Sequence, residues 1–270
     1  MALEYFDIQS PRLKIGNVDY ADLLRQFGSP LYVYDAGILK TKYRKLREAL
    51  PAHVDIFYAV KSNPNPSVIR TFAESGAGCD VASYGELVAM QRLRIAPEKI
   101  IFTGPGKTDR EIELAINLGV RSFNCESENE IERIQIIAQR LNKKINIGIR
   151  VNTDYAIKET LSIIGGTEAK KFGIDENKVI DVIRRHQKHP FIEFIGFHIF
   201  NASQVLDYRE LARNTENILR LAEHIVHETG IALQYIDIGG GLGIPYALAE
   251  SELDVAAFGR AMTDLHSHYC

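Results

Sequence analysis

At 270 residues, 46% hydrophobic and 25% charged, the chain has enough material for one large globular domain or two small ones. A net charge of -3 with no basic run argues against nucleic acid or an anionic membrane as partner. No apolar run reaches the roughly 18 residues of a membrane helix, "MALEYFDIQSPRLKIG" lacks a signal-peptide pattern, and three distant cysteines (Cys79, Cys125, Cys270) exclude a disulfide framework, so cytoplasm is the expected location.

In chain order, "PLYVYD" (30–35) reads as an early strand. Apolar, β-branched runs then recur at 55–60, 78–83, 99–104, 121–127, 145–152, 191–200 and 234–241. Amphipathic helical stretches lie between them, at 67–75, 84–94, 109–119 and 128–142, with Gly76, Gly119 and Asn142 at their ends. Seven β-then-α units imply a parallel sheet with right-handed crossovers. Their number favours an α/β fold of the (β/α)8 TIM-type barrel, about 250 residues in size, over a doubly wound sheet. An inserted loop is expected at 165–179. No eighth strand follows: one amphipathic segment, 251–269, ends the sequence. "PLYVYD" is the candidate to fill that gap; otherwise the barrel is open.

In such a barrel the chemistry sits at the C-terminal ends of the strands. Those ends carry Lys61; Asp80 and Ser83; Gly104; Asn124 and Glu126; Arg150 and Asn152; His198 and Ser203; and Gly239, Gly240 and Gly241. The turn "DIGGGLGIP" (237–245) can present backbone N–H groups to an anion, and its spacing is not that of a dinucleotide fingerprint. "TGPGKTD" (103–109) lacks the phosphate-loop frame, so Lys107 is expected in solvent. A strand-end lysine facing an anion nest fits pyridoxal 5′-phosphate, whose aldehyde condenses with an amine. Burial beside Arg150 would favour the neutral, nucleophilic form of Lys61. Cys125 is expected to be a buried small hydrophobe, and Asn124, Glu126 and Ser127 are candidates for the rim. The pairs His186/His189, His224/His227 and His266/His268 lack a third ligand at usable spacing, so no metal is expected.

Together "YAVKSN", "GCDVASYGEL", "RVN", "KKFGID", "GFHIFNASQ" and "DIGGGLGIPY" resemble the fold-type III pyridoxal-phosphate decarboxylases of the ornithine/diaminopimelate/arginine decarboxylase family, over about residues 30–246. The resemblance implies a cofactor-binding barrel at 37–270, with 1–36 belonging to the family's β-rich domain. It implies that Lys61 holds the cofactor, with Asp80 and Glu86 near the lysine and Arg150 close to the ring. It also implies that Ser203, Gly239, Gly240 and Gly241 bind the phosphate, with His198 and Gln204 in the same motif as Ser203. A homodimer of the longer protein and a small amino-acid substrate are the implied partners.

Two departures qualify this. Family members read "HIGSQ" or "HVGSG" where this chain reads "FNASQ", which puts Phe200 at the position of the histidine that stacks on the ring. Phenylalanine can still cover the ring but cannot donate a proton. The change resembles a divergent subgroup, some members of which act on unusual or carrier-linked amino acids, so a carrier protein becomes a candidate partner. The family's "EPGR" strand and its C-terminal cysteine, acid and tyrosine are also missing, and Cys270 is no replacement. The expectation is the N-terminal barrel portion of a decarboxylase, binding its cofactor weakly and turning over poorly alone. A non-catalytic pyridoxal-phosphate carrier, an alanine-racemase-like enzyme and a regulatory homologue that binds partners are the alternatives.

Overall fold

A computed structural model describes residues 12–155, 172–247 and 249–269. Most of the expected inserted loop, Lys170 and Lys171 of "KKFGID", and Cys270 lie outside the described residues.

The described residues begin with a two-stranded antiparallel hairpin, β1 (Lys14–Ile15) and β2 (Val18–Asp19), followed by helix α1 (Tyr20–Phe27). Asp19 caps α1 by accepting from Ala21 N, and Asp35 caps α2 (Ala36–Ala49) by accepting from Gly37 N and Ile38 N. The alternating region then runs β3 (Phe57–Ala59), α3 (Pro66–Glu74), β4 (Gly78–Val81), α4 (Tyr84–Leu93), β5 (Ile100–Phe102), α5 (Asp109–Leu118), β6 (Ser122–Cys125), α6 (Glu128–Leu141) and β7 (Ile145–Asn152). It continues with β8 (Ile174–Asp175), α7 (Glu176–His186), β9 (Ile192–His198), α8 (Tyr208–Thr229), β10 (Tyr235–Asp237) and α9 (Val255–Tyr269). Hydroxyl caps turn strand into helix abruptly: Ser83 on α4, Thr108 with Glu111 as a capping box on α5, and Ser127 on α6. Gly119 and Asn142 close α5 and α6 in the left-handed conformation, as their sequence positions predict.

Among the described residues the seven main strands are all parallel, in the order β3-β4-β5-β6-β7-β9-β10, and β8 adds a short pairing to the end of β7. Between sheet and helices lies one continuous core that includes Phe102, Phe123, Phe197, Leu87, Ile112, Ile134 and Ile218, all fully or almost fully buried. Each buried phenylalanine contributes about 1.5–3 kcal/mol of hydrophobic stabilisation.

The sheet curls. Tyr235 of β10, the last strand, bonds Ser122 Oγ at 2.9 Å and donates to Asn124 Oδ1 at 2.8 Å, both on β6 in the middle of the sheet. Only glycine fits beneath it: a Cβ at Gly148 or Gly196 would overlap the Tyr235 side chain. The Arg121 guanidinium lies 5.8 Å from the Phe57 ring of β3 and 5.6 Å from the Tyr235 ring, so one cation touches both outer strands.

The sheet remains open between β3 and β10, but the helical layer closes. α9 packs against both α8 and α2, and α2 packs against α3. Arg220 Nε donates to Tyr269 Oη at 2.9 Å, and the His53 and His266 rings stack at 3.4 Å. "PLYVYD" does not fill the gap. It forms no strand, and Leu31 to Tyr34 are exposed, Tyr32 at 88%. It leads into the Asp35 cap of a helix in the outer layer, which keeps it out of the sheet.

Gly259 sits where α9 crosses α2, and a Cβ there would overlap the Ala49 carbonyl. Gly259→Val is expected to destabilise the chain by about 1–3 kcal/mol or more in urea unfolding. An unchanged midpoint would show that α9 does not close the helical layer in this way.

Candidate functional site

Parallel strands place all their C-terminal ends on one rim. At one edge, β3 stops at Ala59 and Lys61 sits in the 3-10 turn Val60–Ser62. Ser62 Oγ donates to Ala59 O at 2.7 Å, and Tyr58 Oη donates to Asn63 O at 3.1 Å, which fixes the turn. Lys61 is exposed, not buried as its place after an apolar run predicts. Among the described residues β3 pairs only with β4, so its end lies open to solvent.

Asp80, at the end of β4, points into the rim with Oδ1 buried and unpaired. Burial pushes its carboxyl up to about 7; the Asp237 charge adds to this, while Thr103 and the Lys61 ammonium oppose it. His198 ends β9, is 7% exposed, and leaves Nδ1 buried without a partner. Burial lowers its pKa against the pull of Asp237, and the cations Arg150 and Lys61 lower it further, so the ring is neutral at pH 7. Glu86 does local work as well: its carboxylate accepts from Ala82 N at 2.6 Å at the start of α4, close enough to Asp80 to raise that group's pKa.

At the other edge, the glycine turn follows β10. Gly239 and Gly241 have φ of +73° and +88°. A Cβ on Gly239 would come within 2.9 Å of Ile199 O and the Phe200 ring, and one on Gly241 within 2.6 Å of Ala202. Nothing lies within 4 Å of a Cβ on Gly240, so that residue faces open space. Asp237 Oδ1 accepts from Gly239 N at 2.9 Å and holds the turn. The segment after β9 is tied alongside: Val205 N donates to Gly241 O and Gly243 N to Val205 O, each at 2.9 Å. The Gln204 side chain also brackets the Ile244 backbone. Ser203 immediately precedes Gln204 and Val205 in this segment. Phe200, 39% exposed, lies against Gly239.

Between the two edges stands Arg150, whose Nη1 contacts Glu126 Oε1 at 2.9 Å, with its guanidinium 5.2 Å from the Phe172 ring. Asn124 and Glu126 are both buried here; Ser127 instead caps α6. Cys125 is fully buried, as expected. Lys107 corrects the sequence reading. It is 4% exposed, and its ammonium donates to Gly104 O and Asn124 O and pairs with Glu130. Its "TGPGKTD" context carried no signal of this, because two of the three partners, Asn124 and Glu130, come from β6 and α6. Asp237 and Tyr235 were also missed. Their period-2 spacing puts both on the interior face of β10, a signal that the adjacent glycines overshadowed.

Lys61, Asp80, Arg150, His198, Phe200, Ser203 and Gly239–Gly241 thus share one rim, with Glu86 beside Asp80. His186 also gains what its sequence spacing lacked: Glu128 and Glu132 of α6 lie with it as a three-ligand group. Arg185 occupies both Glu128 oxygens, and Gln135 takes His186 Nδ1.

A carboxyl raised from 3.8 to about 7 binds more protons folded than unfolded. Its effect therefore favours folding below the unfolded pKa, and this is lost as pH rises through about 7. Asp80→Asn is expected to stabilise the chain at pH 8 by about 1–3 kcal/mol and to change it little at pH 4. Urea unfolding at both pH values checks this; equal effects at the two would contradict it.

The model of the pyridoxal-binding domain of pyridoxal-dependent decarboxylases matches residues 36–270. The chain is 36% identical to a diaminopimelate decarboxylase of Aquifex aeolicus over 92% of its own length and 59% of the relative's. It is 32% identical to an L-glutamyl-[BtrI acyl-carrier protein] decarboxylase of Niallia circulans, over 92% of its length and 58% of the relative's. It superposes on the crystal structure of an M. jannaschii diaminopimelate decarboxylase in complex with L-lysine with a TM-score of 0.87 at 28% identity, covering 100% of this chain and 64% of that one. The chain thus spans about three fifths of the length of these relatives. With the fold, the rim and the family model in agreement, this chain belongs to the pyridoxal-dependent decarboxylases, as their pyridoxal-binding domain.

Proposed function

We propose that this chain is the cofactor-binding part of an enzyme that decarboxylates an amino acid with pyridoxal 5′-phosphate, attached to Lys61. The observation that carries the reading is the pairing of opposite sheet edges across one rim. The Lys61 charge is felt by both Asp80 and His198, and so is that of Asp237, which caps the glycine turn.

The residues present fit the cofactor. Asp80 Oδ1 and His198 Nδ1 are buried polar atoms in want of a partner, and Gly240 offers backbone to open space. Positive φ and close packing at Gly239 and Gly241 exclude side chains that would block a phosphate. When bound, the cofactor supplies an electron sink for the carbanion that decarboxylation leaves.

The chain's own residues do the rest. Lys61 offers its amine from an exposed strand end. Gly239–Gly241 and Ser203 would hold the phosphate, Phe200 would cover the ring, and neutral His198 together with Asp80 would order its polar edge. Arg150, held by Glu126, keeps positive charge at the rim. The substrate is a free amino acid of the diaminopimelate kind, or one linked to a carrier protein. Phe200 and the Niallia circulans relative favour the second arm. We read residues 1–36 as part of a second domain of a longer, cytoplasmic, homodimeric protein. Exposed Leu31–Tyr34 and the open sheet edges support this.

Titration with pyridoxal 5′-phosphate is expected to give the visible absorbance band of a lysine-linked cofactor, and Lys61→Ala to abolish it. A band retained in Lys61→Ala would move the attachment elsewhere, and the proposal would fail.

A further inference from the structure

Among the described residues, a fully buried ammonium stands directly beneath the rim without touching Lys61 or the glycine turn. The Lys107 side chain is 1% exposed and that of its partner Glu130 4%. Nζ donates to Gly104 O at 2.7 Å and Asn124 O at 2.8 Å, and it pairs with Glu130 Oε1 at 2.7 Å. Two strand ends, β5 and β6, and the first turn of α6 thus converge on one cation. Arg133 fastens the same loop from outside, donating to Lys107 O at 2.9 Å and pairing with Asp109.

Stability is a weak reason for such a pair, because a buried ion pair rarely outperforms apolar residues of the same volume. Its connections are more informative. Glu130 Oε2 accepts from Glu126 N at 3.1 Å, and Glu126 Oε1 holds Arg150 at 2.9 Å. On the other side, Asn124, whose carbonyl Lys107 holds, extends its amide to Thr103 Oγ1 at 3.1 Å and to Asp237 Oδ2 at 3.4 Å. Asp237 in turn caps Gly239 N. One branch ends on the arginine of the rim, the other on the glycine turn. A lysine suits this task better than an arginine, since its compact ammonium can aim at several acceptors where a planar fork cannot.

We propose that Lys107 is a positioning residue, which sets Arg150 through Glu130 and Glu126 and sets the glycine turn through Asn124 and Asp237. The inference rests on the reading of this rim as the cofactor site. The test is the double variant Lys107→Met/Glu130→Gln, which leaves no charge unpaired and keeps an acceptor for Glu126 N–H. Ile225→Val, a core change on α8, serves as the stability control. The variants are titrated with pyridoxal 5′-phosphate by absorbance, with thermal unfolding alongside. The double variant is expected to bind the cofactor about tenfold or more weakly. The pH midpoint of its absorbance band is expected to move up, because the Arg150 charge is no longer held in place. Ile225→Val keeps the wild-type affinity and midpoint. If the double variant is not recovered folded, Lys107→Arg, which keeps the charge but spreads it over a planar fork, carries the same expectation at about threefold. Wild-type affinity and midpoint in the variant that folds would overturn the proposal and leave the cofactor reading standing. Equal weakening in Ile225→Val would also overturn it. A wild-type chain that gives no lysine-linked band would overturn the cofactor reading and this proposal together.

Discussion

The reach of Tyr235 across the barrel interior is the contact on which the rim depends. A parallel sheet of seven strands can lie open and flat, or it can curl. Here the last strand sends a phenol over two glycines, Gly148 and Gly196, to Ser122 and Asn124 in the middle of the sheet. That contact draws β10 inward, and Arg121 braces it against β3 from the far end of the strands. The glycine turn after β10 and the lysine after β3 then face the same space. A leucine at either glycine would fill the room the phenol needs and separate the two.

The interior that this creates is polar near the rim, and the polarity has a cost. Asp80 and His198 each carry a buried atom without a partner, and an unpaired buried polar group costs about 1–3 kcal/mol. A carboxyl lifted to about 7 is the electrostatic form of the same strain. Such arrangements concentrate at functional sites, where a ligand completes what the protein leaves unmet. The apolar layer between sheet and helices, by contrast, is fully packed and supplies the stability that tolerates them.

Much of this was legible in the sequence, for reasons that differ by element. The seven strands and helices α3 to α6 were readable because their period is local and Gly119 and Asn142 mark helix ends, whereas the caps Ser83, Thr108 and Ser127 show themselves only in the structure. The strand-end rule then gave the rim, since parallel topology alone decides which end carries loops. What was not legible depends on distant partners. Lys107 is buried because Asn124 and Glu130 receive it, and nothing in "TGPGKTD" announces either. Lys61 is exposed because β3 has one neighbour among the described residues, a fact about topology rather than about "FYAVKS". "PLYVYD" has the composition of a strand, yet strand propensity needs an edge to pair with, and the Asp35 cap of α2 takes the segment elsewhere. His186 met Glu128 and Glu132 only when α7 was packed on α6.

Two lysines at one rim, one exposed and one buried with its protons engaged, make the central claim directly measurable. The chain is incubated with pyridoxal 5′-phosphate, reduced with borohydride so that any linkage becomes permanent, digested, and mapped by mass spectrometry. The pyridoxyl group is expected on Lys61, with Lys107 unmodified. Label on Lys107, or label scattered over surface lysines with none favoured, would contradict it.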